Sequence, residues 1–256
     1  MGTFAIALFI FLFILLLFFE NFPKKLATLD AIFAIFSLLA FISCVRIYIK
    51  IPKRFPAEKK GYLFLMISIL LFFLGDLFWF ILEVFFQDFV PLGGLPDISW
   101  NLAYFSLMIS LYFFISFSFR ESNKLYYFFL SIAALIIIII EVIEIKEGLY
   151  TEAISFIHII NELYVFYDIF LIIMIFYLVW PMIKLKNKIF YSWIILLIGL
   201  VFRVIYDYIF VILSYKNLYS TGNPIDLIYV LFYLAIIFSN IYKCQTLDNV
   251  GGENND

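Results

Sequence analysis

The chain has 256 residues, 66% of them hydrophobic and 14% charged, with a formal net charge of −2. Soluble domains are roughly half apolar and a quarter charged, so soluble enzyme and disordered readings are excluded, and a near-neutral balance gives no electrostatic footprint for nucleic acid. What remains is a polytopic, all-α protein of the lipid bilayer, because runs of about 20 apolar residues read as membrane-spanning helices and a chain in lipid must satisfy its backbone polar groups internally.

Polar breaks divide the sequence into eight apolar spans, 2–19, 28–49, 61–86, 97–118, 125–145, 154–182, 187–214 and 223–242. The unbroken runs Phe9–Phe19 and Leu135–Ile140 lack the alternation that a membrane β-barrel needs. The first span has no basic residue before it and no small-residue cleavage site after Phe19, so it is expected as a retained helix, not a signal peptide. Basic residues set the orientation. Lys50, Lys53, Arg54, Lys59 and Lys60 follow the second span, Arg120 and Lys124 the fourth, Lys184, Lys186 and Lys188 the sixth. That side is predicted cytoplasmic, together with both termini, in a multi-pass protein of the cell membrane. The segment Gln87–Pro96 has no Lys or Arg and suits the outer side. The two cysteines, Cys44 and Cys244, then fall on the side where thiols stay reduced. One transmembrane domain is expected over 1–242, in halves 1–120 and 121–242, followed by a polar tail over 243–256 whose end, Asp248–Asp256, reads as disordered.

The two halves resemble each other. Gly75-Asp76-Leu77-Phe78-Trp79, then Asp97, Trp100 and Tyr104, are echoed by Tyr206-Asp207-Tyr208-Ile209-Phe210, then Asp226, Tyr229 and Tyr233. The offset is 131 for Asp76/Asp207 and 129 for the other three pairs. A 4+4 duplication is expected, with the halves parallel because four spans is an even number; chance similarity between two Phe- and Ile-rich segments is the rival reading.

Ionisable groups inside a bilayer cost about 2.5–3.5 kcal/mol each on insertion scales and are functional candidates by default. Here they gather toward the predicted outer side. Asp76 and Glu83 share a face of the third span, and Arg203 and Asp207, four apart, can pair directly. His158, Asn161, Glu162 and Asp168 form a stripe on the sixth span. Asp97, Asn101 and Tyr104 share a face of the fourth, and Asp226, Tyr229 and Tyr233 one of the eighth. If the stripes converge they line an outward-facing pocket of carboxylates and tyrosines, with ligand contacts expected from Asp76, Glu83, Asp97, Tyr104, His158, Glu162, Arg203, Asp207, Asp226 and Tyr233. Plainer roles compete. Asp97 and Asp226 sit at helix starts, where acids cap free N–H groups. Arg203–Asp207 can be a self-neutralising structural pair, and His158 a packing residue. Asp76 is the least easily explained, having no cation on its own helix within reach. No catalytic residue, cofactor or metal site is expected, and a single histidine excludes a multi-histidine site in one chain.

The run Gly75-Asp76-x-x-Trp79-x-x-x-Glu83, then Pro96-Asp97-x-x-Trp100-x-x-x-Tyr104, resembles the multi-spanning sensor regions of prokaryotic diguanylate cyclases and histidine kinases. The sequence departs from that pattern in Trp100 and in lacking a Ser-rich turn before Asp97. Only 243–256 follow the last span, so the resemblance implies a stand-alone ligand-binding or sensor-like module without an output domain, signalling through a separate protein. Its carboxylates would attract a small cationic ligand. Two alternatives have their own motivation. Intramembrane carboxylates in duplicated halves suit an ion-coupled transporter. Leu74-Gly75-Asp76 and Tyr206-Asp207 are similar to the paired motifs of the presenilin and signal peptide peptidase families, which are intramembrane aspartyl proteases; Phe73 in place of the first Gly and the reversed motif order depart from them.

Overall fold

The computed structural model describes residues 2–18, 25–86, 94–118, 131, 156–185, 188–215 and 218–252. Among these residues the protein is all helical. The helices are α1 (Gly2–Phe18), α2 (Lys25–Lys50), α3 (Pro56–Ile81), α4 (Leu95–Ser118), α5 (Phe156–Leu185), α6 (Lys188–Tyr215) and α7 (Asp226–Gly252). Among the described residues five segments are long and apolar enough to cross a membrane: Leu26–Lys50, Pro56–Phe86, Leu95–Ser116, Phe190–Phe210 and Asp226–Asn249. Gly2–Ile14 and Phe166–Leu178 are shorter apolar helices. The predicted fifth span, 125–145, lies outside the described residues apart from Ser131.

Local chemistry accounts for the helix ends. Lys50 closes α2, where a cation complements the helix dipole. Pro56 opens α3, since its missing N–H is unneeded in a first turn. The far end of α3 widens into a π-helical turn over Leu82–Phe86. The last helix differs from expectation. It continues ten residues past the predicted span boundary, so 243–252 is helix, including the first part of the Asp248–Asp256 stretch expected to be disordered.

α3 packs most extensively on α4, and α6 on α7; α2 lies against α3 and α7, while α5 lies against α6 and α4. α1 flanks α7 and α2. Between helices in lipid there is little hydrophobic driving force, so close packing and interhelical hydrogen bonds decide the arrangement. Three serines tie α3 to α4. Ser68 donates to the Ala103 carbonyl (2.8 Å), Ser106 to that of Phe64 (2.9 Å) and Ser110 to that of Gly61 (2.7 Å). One ties α7 to α6, Ser239 donating to the Ser192 carbonyl at 2.7 Å. Gly75 gives room to Trp100 of α4, since a Cβ there would come within 2.3 Å of the indole Nε1. At Gly199 a Cβ would meet that of Ala235 at 2.6 Å.

The end of the bundle near 50–60 carries a buried ion pair. Lys243, the first residue of the predicted polar tail, is 1% exposed and bonded to Glu58 at the start of α3. Its Nζ also lies 4.5 Å from the Trp193 ring centre and 4.8 Å from that of Tyr62. Nearby, at the surface, Lys50 reaches the Asp248 carboxylate at 2.7 Å. These two pairs connect the extra turns of α7 to α2 and α3.

Candidate functional site

At the opposite end, the last turns of α3 and α6 meet the first turns of α2, α4 and α7, and their acids turn inward. Asp76, Asp97, Asp207 and Asp226 are all buried. Asp76 obtains from other helices the partners that its own helix lacks. Tyr229 donates to its Oδ1, Tyr233 to its Oδ2 (2.9 Å), and the Trp100 indole N–H to Oδ1 (3.2 Å). The hydroxyls of Tyr229 and Tyr233 lie 2.8 Å apart.

Asp207 forms the expected pair with Arg203, Nε to Oδ2 at 2.9 Å. Tyr104 of α4 completes it, donating to Asp207 and accepting from Arg203 Nε at 2.6 Å. The guanidinium is enclosed by rings. Its carbon is 4.7 Å from the centre of Phe72, 4.9 Å from Tyr229 and 5.1 Å from Tyr104, with Tyr206 and Phe232 slightly beyond. Cation–π attraction at such distances is strong where water is excluded, and the rings fix the plane of the guanidinium.

The acids at the helix starts do something other than capping alone. Asp97 accepts from Tyr164 of α5 at 2.9 Å, an interhelical bond. Asp226, the first residue of α7, reaches back into the preceding loop. It accepts the Gly222 N–H at 2.8 Å and the Tyr219 hydroxyl at 3.1 Å. Gly222 has φ 94°, a conformation that favours glycine, and this aims its N–H at the acid. Burial, reinforced by the Asp226 charge, pushes the Tyr219 phenol well above its ordinary range, which keeps it a donor. Glu83, in the π-helical turn, accepts from Trp79 Nε1 (2.7 Å) and from Thr221 (3.0 Å). That turn brings Glu83 against the 218–225 loop. The side chains of His158 and Glu162 lie outside the described residues.

Between these groups is a half-enclosed cavity of about 60 Å³, lined by Asp30, Asp76, Arg203 and Asp207 and walled mainly by aromatic rings, among them Phe33, Trp79, Trp100, Tyr206 and Phe210. One water needs ~10–15 Å³ on this scale, so the space suits a handful of waters or a small ligand. Asp76, Arg203 and Asp207 thus share one cavity, whereas Glu83, Asp97, Tyr104, Asp226 and Tyr233 stand behind it, holding its walls through the bonds given above. Asp76 and Asp207 share no hydrogen bond; each has its own donors.

Asp30, on α2, is a cavity residue that sequence reasoning passed over. It is 1% exposed; no donor bonds its oxygens at close range among the described residues, and its hydrogen-bonding contact is with the Glu83 carboxyl. The charged groups that face it are the acids Glu83, Asp226 and Asp76. A signal existed: Asp30, Phe33 and Ser37 follow helical spacing on one buried face. Near Lys24 and Lys25 the acid reads as an ordinary charge at the membrane interface. Nη1 of Arg203 is likewise buried without a hydrogen-bond acceptor among the described residues. No group of three or more His, Cys, Asp or Glu side chains among the described residues is arranged to hold a metal ion.

The fold and this site define an all-helical protein whose apolar helices are compatible with an integral membrane location. No protein-family model, curated protein or solved structure matches the chain.

Proposed function

We propose that this protein is a multi-pass membrane receptor-like module that binds a small cationic ligand in the cavity between α2, α3, α6 and α7. The observation that carries this reading is the cavity itself, walled by aromatic rings and lined by three acids, Asp30, Asp76 and Asp207, against one cation, Arg203. Burying an ionised carboxylate costs several kcal/mol unless it is paired. A bound cation removes that cost, and aromatic walls favour an organic ammonium. The basic loops at 50–60 and 184–188 support a cytoplasmic assignment for the far end, so that the cavity faces outward and both termini lie inside. The resemblance to sensor regions, and a polar cytoplasmic end, support signalling through a separate membrane or cytoplasmic protein.

An architecture of eight spans in two similar halves belongs to the same proposal, and its support comes from matched contacts. Ser110 bonds the carbonyl of Gly61, and Ser239 that of Ser192, with offsets of 129 and 131. Asp76 is bonded by Tyr233 and Asp207 by Tyr104, the same relation with the halves exchanged. The packing of α2 on α3 and α7 mirrors that of α5 on α6 and α4.

The test is thermal unfolding of the purified protein in nanodiscs with a panel of monovalent cations and small amines. A saturable rise in Tm with at least one amine, abolished in Asp30→Asn and reduced in Asp76→Asn, is expected. If no member of the panel moves the Tm of the wild type, the binding reading fails.

A further inference from the structure

The geometry points to an alkylated ammonium ion, one with no N–H left to satisfy, as the ligand of this cavity. This rests on the cation-binding function proposed above and names the class of cation. The rings around the site fall into two sets. Phe72, Tyr104, Tyr206, Tyr229 and Phe232 surround the Arg203 guanidinium. Trp79, Trp100, Phe210 and Tyr219 line the cavity outside that set. These four are only half-buried and keep accessible surface, whereas Asp30, Asp76, Arg203 and Asp207 are buried.

Three of the four rings are backed by an acid. Trp79 donates its indole N–H to Glu83 (2.7 Å), Trp100 its own to Asp76 (3.2 Å), and Tyr219 its hydroxyl to Asp226 (3.1 Å). Hydrogen-bonded groups polarise one another, and a ring whose donor is bonded to an acid becomes richer in electrons and a better seat for a cation. The two indoles stack with centres 5.7 Å apart, and Tyr219 meets Phe210 edge-on at 4.6 Å. The rings are therefore fixed in place before any ligand arrives.

The acids themselves are already engaged. Asp76 receives three donors and Asp207 two, while Asp30 is 1% exposed and lies against the Glu83 carboxyl. A primary ammonium would give up water at each of its N–H groups and meet carboxylates whose donors are in place, a loss that burial penalises. An alkylated ammonium has no such bonds to lose. It presents methyl groups to the rings and is attracted by their faces and by the acids behind them. A cavity of about 60 Å³ offers room on the order of four to six waters, which suits a compact tetramethylammonium head and excludes bulkier ones.

The experiment is isothermal titration of the full-length wild-type protein, in nanodiscs free of choline lipids, with tetramethylammonium, methylammonium and the neutral tert-butanol. Tetramethylammonium is expected to bind roughly ten-fold more tightly than methylammonium, and tert-butanol not to bind measurably. Trp79→Leu should weaken tetramethylammonium by a similar factor, and an unchanged affinity in that variant overturns the ring site. If methylammonium, or a primary amine of the wider panel, binds as tightly as tetramethylammonium, the alkylated class is overturned while the cation site survives. If tert-butanol binds as tightly, the cavity is merely apolar and both readings fall. Absence of binding by all three, with no Tm response to the panel of amines, also overturns both. The wild-type comparison decides the matter even if the variant fails to fold.

Discussion

Replacing Lys243 with Met should destabilise the protein by about 3–5 kcal/mol, and replacing Glu58 with Met in the same chain should restore most of the loss. The single change leaves the Glu58 carboxylate buried without its cation, and breaking one side of a buried pair costs that much, whereas an apolar pair of similar volume is often close to neutral. Both residues are nearly inaccessible, with side-chain exposures of 1% and 9%, so solvent cannot take over the abandoned charge. The Lys243→Met variant also gives up the contacts with Trp193 and Tyr62 at 4.5 and 4.8 Å, a further ~1–2 kcal/mol that the double variant does not recover. The double variant should therefore lie within about 2 kcal/mol of wild type, and the coupling energy should be several times the ~0.5 kcal/mol within which independent sites add. Unfolding titrations in mixed micelles, followed by tryptophan fluorescence, give all four corners of the cycle. Additive single losses would refute the pairing.

Other substitutions test the packing and the hydrogen bonds. Gly75→Ala drives a methyl group into the Trp100 indole and should cost about 1–3 kcal/mol, with a shift in tryptophan emission as the bond to Asp76 is lost; an unchanged spectrum and Tm would contradict the close approach. Tyr104→Phe and Tyr233→Phe each remove one donor to a buried carboxylate and should each lower stability by about 1.5–3 kcal/mol, read from the same titrations. Asp248→Ala breaks only an exposed pair, and a loss above ~1 kcal/mol would be unexpected.

The long helices were legible because span length and apolar composition follow directly from the bilayer, and α2, α3, α4 and α6 lie within a few residues of their predicted bounds. The Arg203–Asp207 pair was legible because helix geometry fixes neighbours four residues apart. Partners on different helices were not. Nothing in the sequence around Lys243 announces Glu58, and both read as charges at span ends. Asp30 was obscured in the same way by Lys24 and Lys25. The roles of Asp97 and Asp226 were half visible: their placement at helix starts follows from the adjacent prolines, but Tyr164 and Gly222 as partners depend on how α5 and the 218–225 loop fold over them.

The exchange of tyrosines between Asp76 and Asp207 ties the two ends of the sequence together: Asp76 takes hydroxyls from α7 and Asp207 takes one from α4, while each keeps a partner nearer in the chain, Trp100 for Asp76 and Arg203 for Asp207. A fragment ending after α4 would leave Asp76 only the indole, and one beginning at α5 would leave Asp207 only the guanidinium, so neither piece should reproduce the bonding of the whole.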